Sequence, residues 1–103
     1  MGFFNLFGSS VATPAIEEYL DKGAVVIDVR TIAEFVEGHV EGSKNIPLDT
    51  VEAKLEEIKK LGKSVITCCR SGARSGTAAN FLKQNGVDAI NGGPWQSVAA
   101  CIK

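Results

Sequence analysis

The sequence predicts an α/β domain, with a central parallel sheet covered by helices on both faces. Three observations predict it. First, the runs Ala24-Val25-Val26-Ile27-Asp28-Val29 and Ser64-Val65-Ile66-Thr67-Cys68 are nearly continuous and rich in β-branched residues. That pattern belongs to strands buried on both faces. Second, helical patterns alternate with the strands through short connections, and such alternation closes into a parallel sheet through right-handed crossovers. Third, 103 residues with 45% hydrophobic and 22% charged content suit one domain. A chain of this size buries about two-thirds of its unfolded surface. A disordered chain would carry fewer Val, Ile and Leu and a net charge further from zero than −1.

The elements follow in order. Met1-Gly2-Phe3-Phe4-Asn5-Leu6-Phe7-Gly8 is apolar but lacks the basic region of a secretory signal, and Leu6 stands where a myristoylation signal has Ser or Thr. Residues 1–12 are therefore read as an apolar terminus, frayed or packed on the domain, and 13–103 as the domain itself. Thr13-Pro14 opens a helix, with a hydroxyl N-cap and Pro at the first position. Ile16, Tyr19 and Leu20 form its apolar face, and Gly23 ends it. Thr31-Ile32-Ala33-Glu34 reads as a capping box for a short helix ended by Gly38. Asn45-Ile46-Pro47-Leu48 is a short extended piece, because Pro47 argues against a central strand. A helix from Asp49 or Thr50 to Leu61 carries Val51, Leu55 and Ile58 on one stripe and stops at Gly62. Ser75 to Gln84 is a helix of small residues, Asp88-Ala89-Ile90 a third strand, and Pro94 to Ile102 a last helix after Gly92-Gly93.

In parallel sheets ligands bind beyond the carboxyl ends of the strands. There the sequence places Cys69-Arg70-Ser71-Gly72-Ala73-Arg74-Ser75, a cysteine at a strand end leading into a helix N-terminus. A thiol attacks as thiolate, which cationic neighbours and a helix N-terminus favour. Arg70 and Arg74 supply charge, Gly72 lets successive N–H groups turn inward, and Ser71 and Ser75 add hydroxyl donors. No histidine lies in the segment, so electrostatics rather than a Cys–His pair would make the thiolate.

Asp28-Val29-Arg30, Glu34-Phe35, Gly38-His39, Asn45-Ile46-Pro47, the Cys69 to Ser75 loop, and Gly92-Gly93 followed by Trp95 resemble, in that order, the single-domain rhodanese-like sulfurtransferases. The resemblance runs from Thr13 onward and implies a rhodanese-like fold. It implies that Cys69 takes sulfane sulfur as a persulfide from a donor such as thiosulfate. It also implies discharge to a thiophilic acceptor, either cyanide or a thiol, including a protein thiol. Arg70, Ser71, Gly72, Ala73 and Arg74 would then bind the anionic donor, their amides holding the terminal sulfur. The chain departs from the family's commonest pattern in carrying Cys68 before the nucleophile and Pro94 between the glycine pair and Trp95.

Other readings compete. Counted from Cys68 the segment is Cys-x5-Arg, the spacing of cysteine phosphatases, some of which share this fold. A non-catalytic binding module is the second rival, disfavoured because such a loop needs neither the cysteine nor both arginines. By period two Cys68 points away from Cys69 and into the core. Cys101 is expected in helix packing, His39 as a hydrogen-bonding structural residue, and Trp95 as an aromatic capping the last helix. Asp28, Arg30 and Glu34 are placed as outer support of the loop. For Asp28 and Arg30 an ion pair with Arg74 or Glu34 competes with substrate contact.

Three cysteines cannot all pair within one chain, and adjacent Cys68 and Cys69 could join only in a strained ring. Free thiols point to a reducing compartment, the cytoplasm. The spacing of three cysteines and one histidine offers no metal site, and no organic cofactor is implied. Eleven basic against twelve acidic residues give no pull toward nucleic acid or an anionic membrane. No uncharged apolar run approaches the ~20 residues of a spanning helix.

Overall fold

The computed structural model describes residues 10–103. Of the apolar terminus expected over 1–12, residues 1–9 lie outside the described residues. The elements are α1 (Thr13–Asp21), β1 (Val25–Asp28), α2 (Ile32–Glu37), β2 (Lys44–Asn45), a 3-10 turn (Leu48–Thr50), α3 (Leu55–Lys60), β3 (Val65–Cys69), α4 (Ala73–Gln84), β4 (Ala89–Pro94) and α5 (Trp95–Ala99). The four strands form one parallel sheet in the order β2-β1-β3-β4.

Alternation along the strands divides the interior into two cores. Ile27, Val29, Val65 and Cys69 face a core closed by Val51, Ile58, Ala78, Ala79 and Leu82 from α3, α4 and the turn before them. Val26, Ile66 and Cys68 face a second core closed by Ile16, Val98 and Cys101 from the two ends of the domain. Each strand therefore needs apolar residues at successive positions, which is why β1 and β3 read as unbroken runs.

Some boundaries differ from the sequence reading. Helix α1 begins at Thr13 with Ala12 as its uncapped N-cap, so the Thr13 hydroxyl does not cap it. The incoming chain is extended there, with the Val11 N–H donating to Asn91 O at 2.9 Å, and the helix starts as soon as that bond ends. The stripe of Val51, Leu55 and Ile58 does face the core, but its first turns are tight rather than α-helical. The Thr50 hydroxyl and N–H both donate to Pro47 O at 2.8 Å, which ties that turn back on Pro47. Strand β4 continues through Gly92-Gly93 to Pro94 instead of stopping at Ile90, because a bulge opposite Cys68 absorbs one extra residue. Correspondingly α5 is shorter than expected, and α4 begins two residues earlier, at Ala73. The capping box of α2 is as read: Thr31 and Glu34 bond reciprocally. Among the described residues, no helix is long and apolar enough to cross a membrane.

Candidate active site

At the end of β3 the chain turns through Arg70-Ser71-Gly72 into α4, and the turn wraps around the Cys69 sulfur. Gly72, at φ +103°, is the N-cap of α4 and sends its N–H to Cys69 Sγ at 3.1 Å. The Ser75 N–H points at the same sulfur from 3.4 Å, and Ser75 Oγ lies 3.3 Å from it. These are the orphan donors of a helix N-terminus turned onto one atom. Cys69 itself is fully buried. Burial opposes ionisation, but the Ser75 hydroxyl and the Ser75, Gly72 and Ser71 amides outweigh it and hold the thiol below its usual range.

Cys68 is the opposite case. It is buried with Ile16, Val26, Ile66 and Val98 on the other face of the sheet. Burial, with Asp28 nearby, pushes its thiol far up. The loop donors therefore surround Cys69, and a Cys-x5-Arg loop built on Cys68 is not assembled. Cys101 is buried in the same core and donates to Ser97 O at 3.5 Å.

The two arginines of the loop divide. Arg74 sits in the first turn of α4, its Nη1 and Nη2 held by Glu34 at 2.8 and 3.1 Å. Arg70 is exposed and lines a cleft of about 350 Å³ with Arg30, Glu34, Glu37, Gly38, Trp95 and Gln96. The thiolate is thus favoured by hydrogen bonds to its sulfur, rather than by contact with an arginine as the sequence suggested. Ser71 and Ala73 are exposed on the outer side of the turn.

Asp28 and Arg30 do not pair with Arg74 or Glu34. They pair with each other, through Arg30 Nη2 to Asp28 Oδ2 at 2.7 Å and Arg30 Nε to Oδ1 at 3.0 Å. The reason is alternation again, since Asp28 faces the Cys68 side, fully buried. Arg30 also donates to Gly38 O and Glu34 O and lies over the Trp95 ring at 5.2 Å. His39 stacks on Phe35 and bonds its backbone oxygen, as a structural residue should.

Two contributors went unread in the sequence. Asn91 is buried behind the loop: its Oδ1 accepts from Ser75 Oγ at 2.7 Å and Gly93 N–H at 3.0 Å, and its Nδ2 donates to Gly72 O at 3.0 Å. Ser10 lies over the loop: a Cβ added to Gly72 would meet its Oγ at 2.8 Å, and one added to Gly93 would clash with the same oxygen. Both glycines therefore combine left-handed backbone with a close neighbour, which only Gly tolerates.

This geometry has relatives. The model of the rhodanese-like domain matches residues 13–94. The Bacillus subtilis protein YqhL is 42% identical over 67 residues, 65% of this chain and 52% of that protein. A sulfurtransferase of Allochromatium vinosum is 36% identical over 62 residues, 60% of this chain and 57% of that protein. The chain thus spans little more than half the length of these curated relatives. Among solved structures, a rhodanese-like domain protein from Staphylococcus aureus superposes with a TM-score of 0.72 at 29% identity, covering 87% of this chain and 89% of that one. With its parallel sheet and its loop drawn around a strand-end cysteine, the chain belongs to the rhodanese-like domain family.

Proposed function

We propose that this protein is a sulfurtransferase that carries sulfane sulfur on Cys69. The observation that carries the reading is the convergence of the Gly72 and Ser75 amides and the Ser75 hydroxyl on one thiol. A relative named as a sulfurtransferase supports the reaction class. With thiosulfate as donor, the Cys69 thiolate attacks the outer sulfur and the donor's S–S bond breaks. Sulfite leaves with the electron pair, and the negative charge moves to the outer sulfur of the new Cys69 persulfide. A thiolate or cyanide then attacks that sulfur, and Cys69 departs as thiolate. The cycle is redox-neutral and needs no proton relay, which fits a site without histidine.

Each loop residue has a part. The Gly72 and Ser75 amides favour the attacking thiolate and, with those of Arg70, Ser71, Ala73 and Arg74, hold the charged outer sulfur. Exposed Arg70 draws an anionic donor into the cleft beside Trp95. Arg74, fixed by Glu34, keeps α2 against the loop. The partners are a small sulfur-containing anion or a persulfide as donor, and a thiol, free or on a protein, as acceptor. Three free thiols suit a reducing cytoplasm.

The test is mass. Incubation with thiosulfate should make the protein one sulfur atom heavier, with the added atom on Cys69, and cyanide should remove it. Aryl phosphates should not be hydrolysed. Sulfur found on Cys68, or no gain from either thiosulfate or a low-molecular-weight persulfide, would overturn the reading.

A further inference from the structure

Ser75 Oγ stands between two partners, 2.7 Å from Asn91 Oδ1 and 3.3 Å from Cys69 Sγ. A hydroxyl has one hydrogen to give. The orientation of the Asn91 amide decides where it goes. Asn91 Oδ1 takes the Gly93 N–H at 3.0 Å, and Nδ2 gives to Gly72 O at 3.0 Å. Reversing the amide would set N–H against N–H at Gly93 and oxygen against oxygen at Gly72. An acceptor therefore faces Ser75, and the 2.7 Å contact holds the serine hydrogen on Asn91. While it does, Ser75 offers the sulfur only a lone pair, which suits a thiol S–H and gives nothing to a thiolate.

We propose that Asn91 is a positioning residue that sets the ionisation of Cys69 by competing with its sulfur for the single Ser75 proton. In the thiol the chain runs S–H to Oγ, then O–H to Oδ1. When the thiol loses its proton to solvent, the Ser75 hydrogen must rotate from Asn91 to Sγ, leaving Oδ1 with the Gly93 N–H. In the persulfide Sγ has neither charge nor hydrogen, and the Ser75 hydrogen returns to Asn91. Asn91 thus disfavours the bare thiolate relative to both the thiol and the loaded persulfide. It tempers the loop amides and eases retention of sulfur between donor and acceptor. The inference rests on Cys69 as the sulfur carrier, but its readout is ionisation and needs no turnover.

The charged and titratable groups around Cys69 are Arg74 of α4 with Glu34 of α2, Arg70 of the loop, and Cys68 with the Asp28–Arg30 pair on the other face. Neither β4 nor α5 carries a charged residue. Variants at Asn91 and Ser75 leave all of these in place.

The experiment follows ultraviolet thiolate absorbance with pH in the full chain, subtracting the same variant carrying Cys69→Ser. Asn91→Ala should lower the Cys69 midpoint by about one unit, since the serine hydrogen becomes free for the sulfur. Asn91→Asp should raise it by about as much or more, because a carboxylate holds that hydrogen harder and repels the thiolate. Ser75→Ala should raise the native midpoint, since the hydroxyl that the thiolate draws from Asn91 is gone, and should cancel the fall in Asn91→Ala. A residue that merely braced the loop would give a raised midpoint in Asn91→Ala, as the amides loosened, and that result overturns the proposal. If Asn91→Ala does not fold, Asn91→Asp is read with and without Ser75→Ala. Part of its rise should vanish when the serine hydroxyl is removed, and an unmoved midpoint, or a rise that Ser75→Ala leaves unchanged, overturns the proposal. Failure of sulfur to load on Cys69 would refute the proposed function while leaving these midpoints to be read.

Discussion

The two faces of the sheet hold the same chemical parts and put them to opposite use. Each has a buried cysteine and an arginine–carboxylate pair. On one face Cys68 lies among aliphatic side chains beside the buried Asp28–Arg30 pair. No donor of the loop reaches it, so burial, with the Asp28 carboxylate nearby, keeps the thiol protonated. On the other face Cys69 is equally buried, yet a helix N-terminus is folded onto its sulfur. One peptide bond separates an inert thiol from an activated one. Burial alone does not silence a cysteine; burial without donors does.

The sharpest way to break this contrast is to exchange the partners. Cys69→Ser should lower sulfur transfer by about a thousandfold or more, since no thiol then faces the loop amides. Cys68→Ala should keep activity within about threefold and lower stability by about 1 kcal/mol for the small cavity it opens. Steady-state transfer assays and thermal melts separate the two effects. Equal loss in both variants would end the comparison.

Next in size is Gly72. An Ala there must adopt φ +103° and place its Cβ 2.8 Å from Ser10 Oγ, so the turn shifts and its N–H leaves Cys69. Gly72→Ala should slow transfer by about tenfold and destabilise the fold by about 2 kcal/mol. An unstrained loop with native activity would show that the Gly72 amide contributes little. A smaller effect concerns pH. Because hydrogen bonds hold Cys69 below the ordinary thiol range, kcat/KM should climb with thiolate formation and level off below about pH 8.5. Cys68→Ala should leave that profile in place, and a shift on its removal would mean the two faces are coupled.

The contrast itself was legible in the sequence, because period two alone sends adjacent strand residues to opposite faces. So was the loop, whose Cys, Gly and Ser are contiguous. What the sequence did not reveal depends on contacts between distant segments. Asn91 meets Gly72 across 19 residues, and only because β4 pairs with β3 in a register that sets Asn91 beside Thr67, just before the bulge. Read alone, Asn91-Gly92-Gly93 looks like a turn that ends a strand. Ser10 reaches the loop only because Val11 bonds to Asn91 O. The loop arginines were expected to serve the thiolate, but Arg74 finds Glu34 across 40 residues and Arg70 faces the cleft, while Arg30 finds Asp28 two residues away instead of the Glu34 carboxylate. Charge on a loop does not declare its partner; alternation on the neighbouring strand does.

The two ion pairs give the smallest and most selective test. Arg30–Asp28 is buried, with only the arginine edging the cleft, whereas Arg74–Glu34 is partly exposed and open to solvent screening. Arg74, with the Thr31 N–H behind it, lowers the Glu34 carboxyl to about 2 from an ordinary 4.5. A carboxylate whose folded value is depressed stabilises the fold above its unfolded value and loses that contribution as pH falls through the folded one. The Glu34 contribution should therefore be complete above about pH 4.5 and fade toward about pH 2. Glu34→Gln removes the charge, so its melting temperature should lie below the native one at about pH 7, the gap should narrow below about pH 4.5, and the two should converge only near about pH 2. Because Arg74 sits beside the loop, the same variant should also lower transfer by about two- to threefold, through loosening of α2 against α4. A gap in melting temperature that stays constant with pH would assign the Glu34 contribution to its capping of α2 instead of its charge on Arg74.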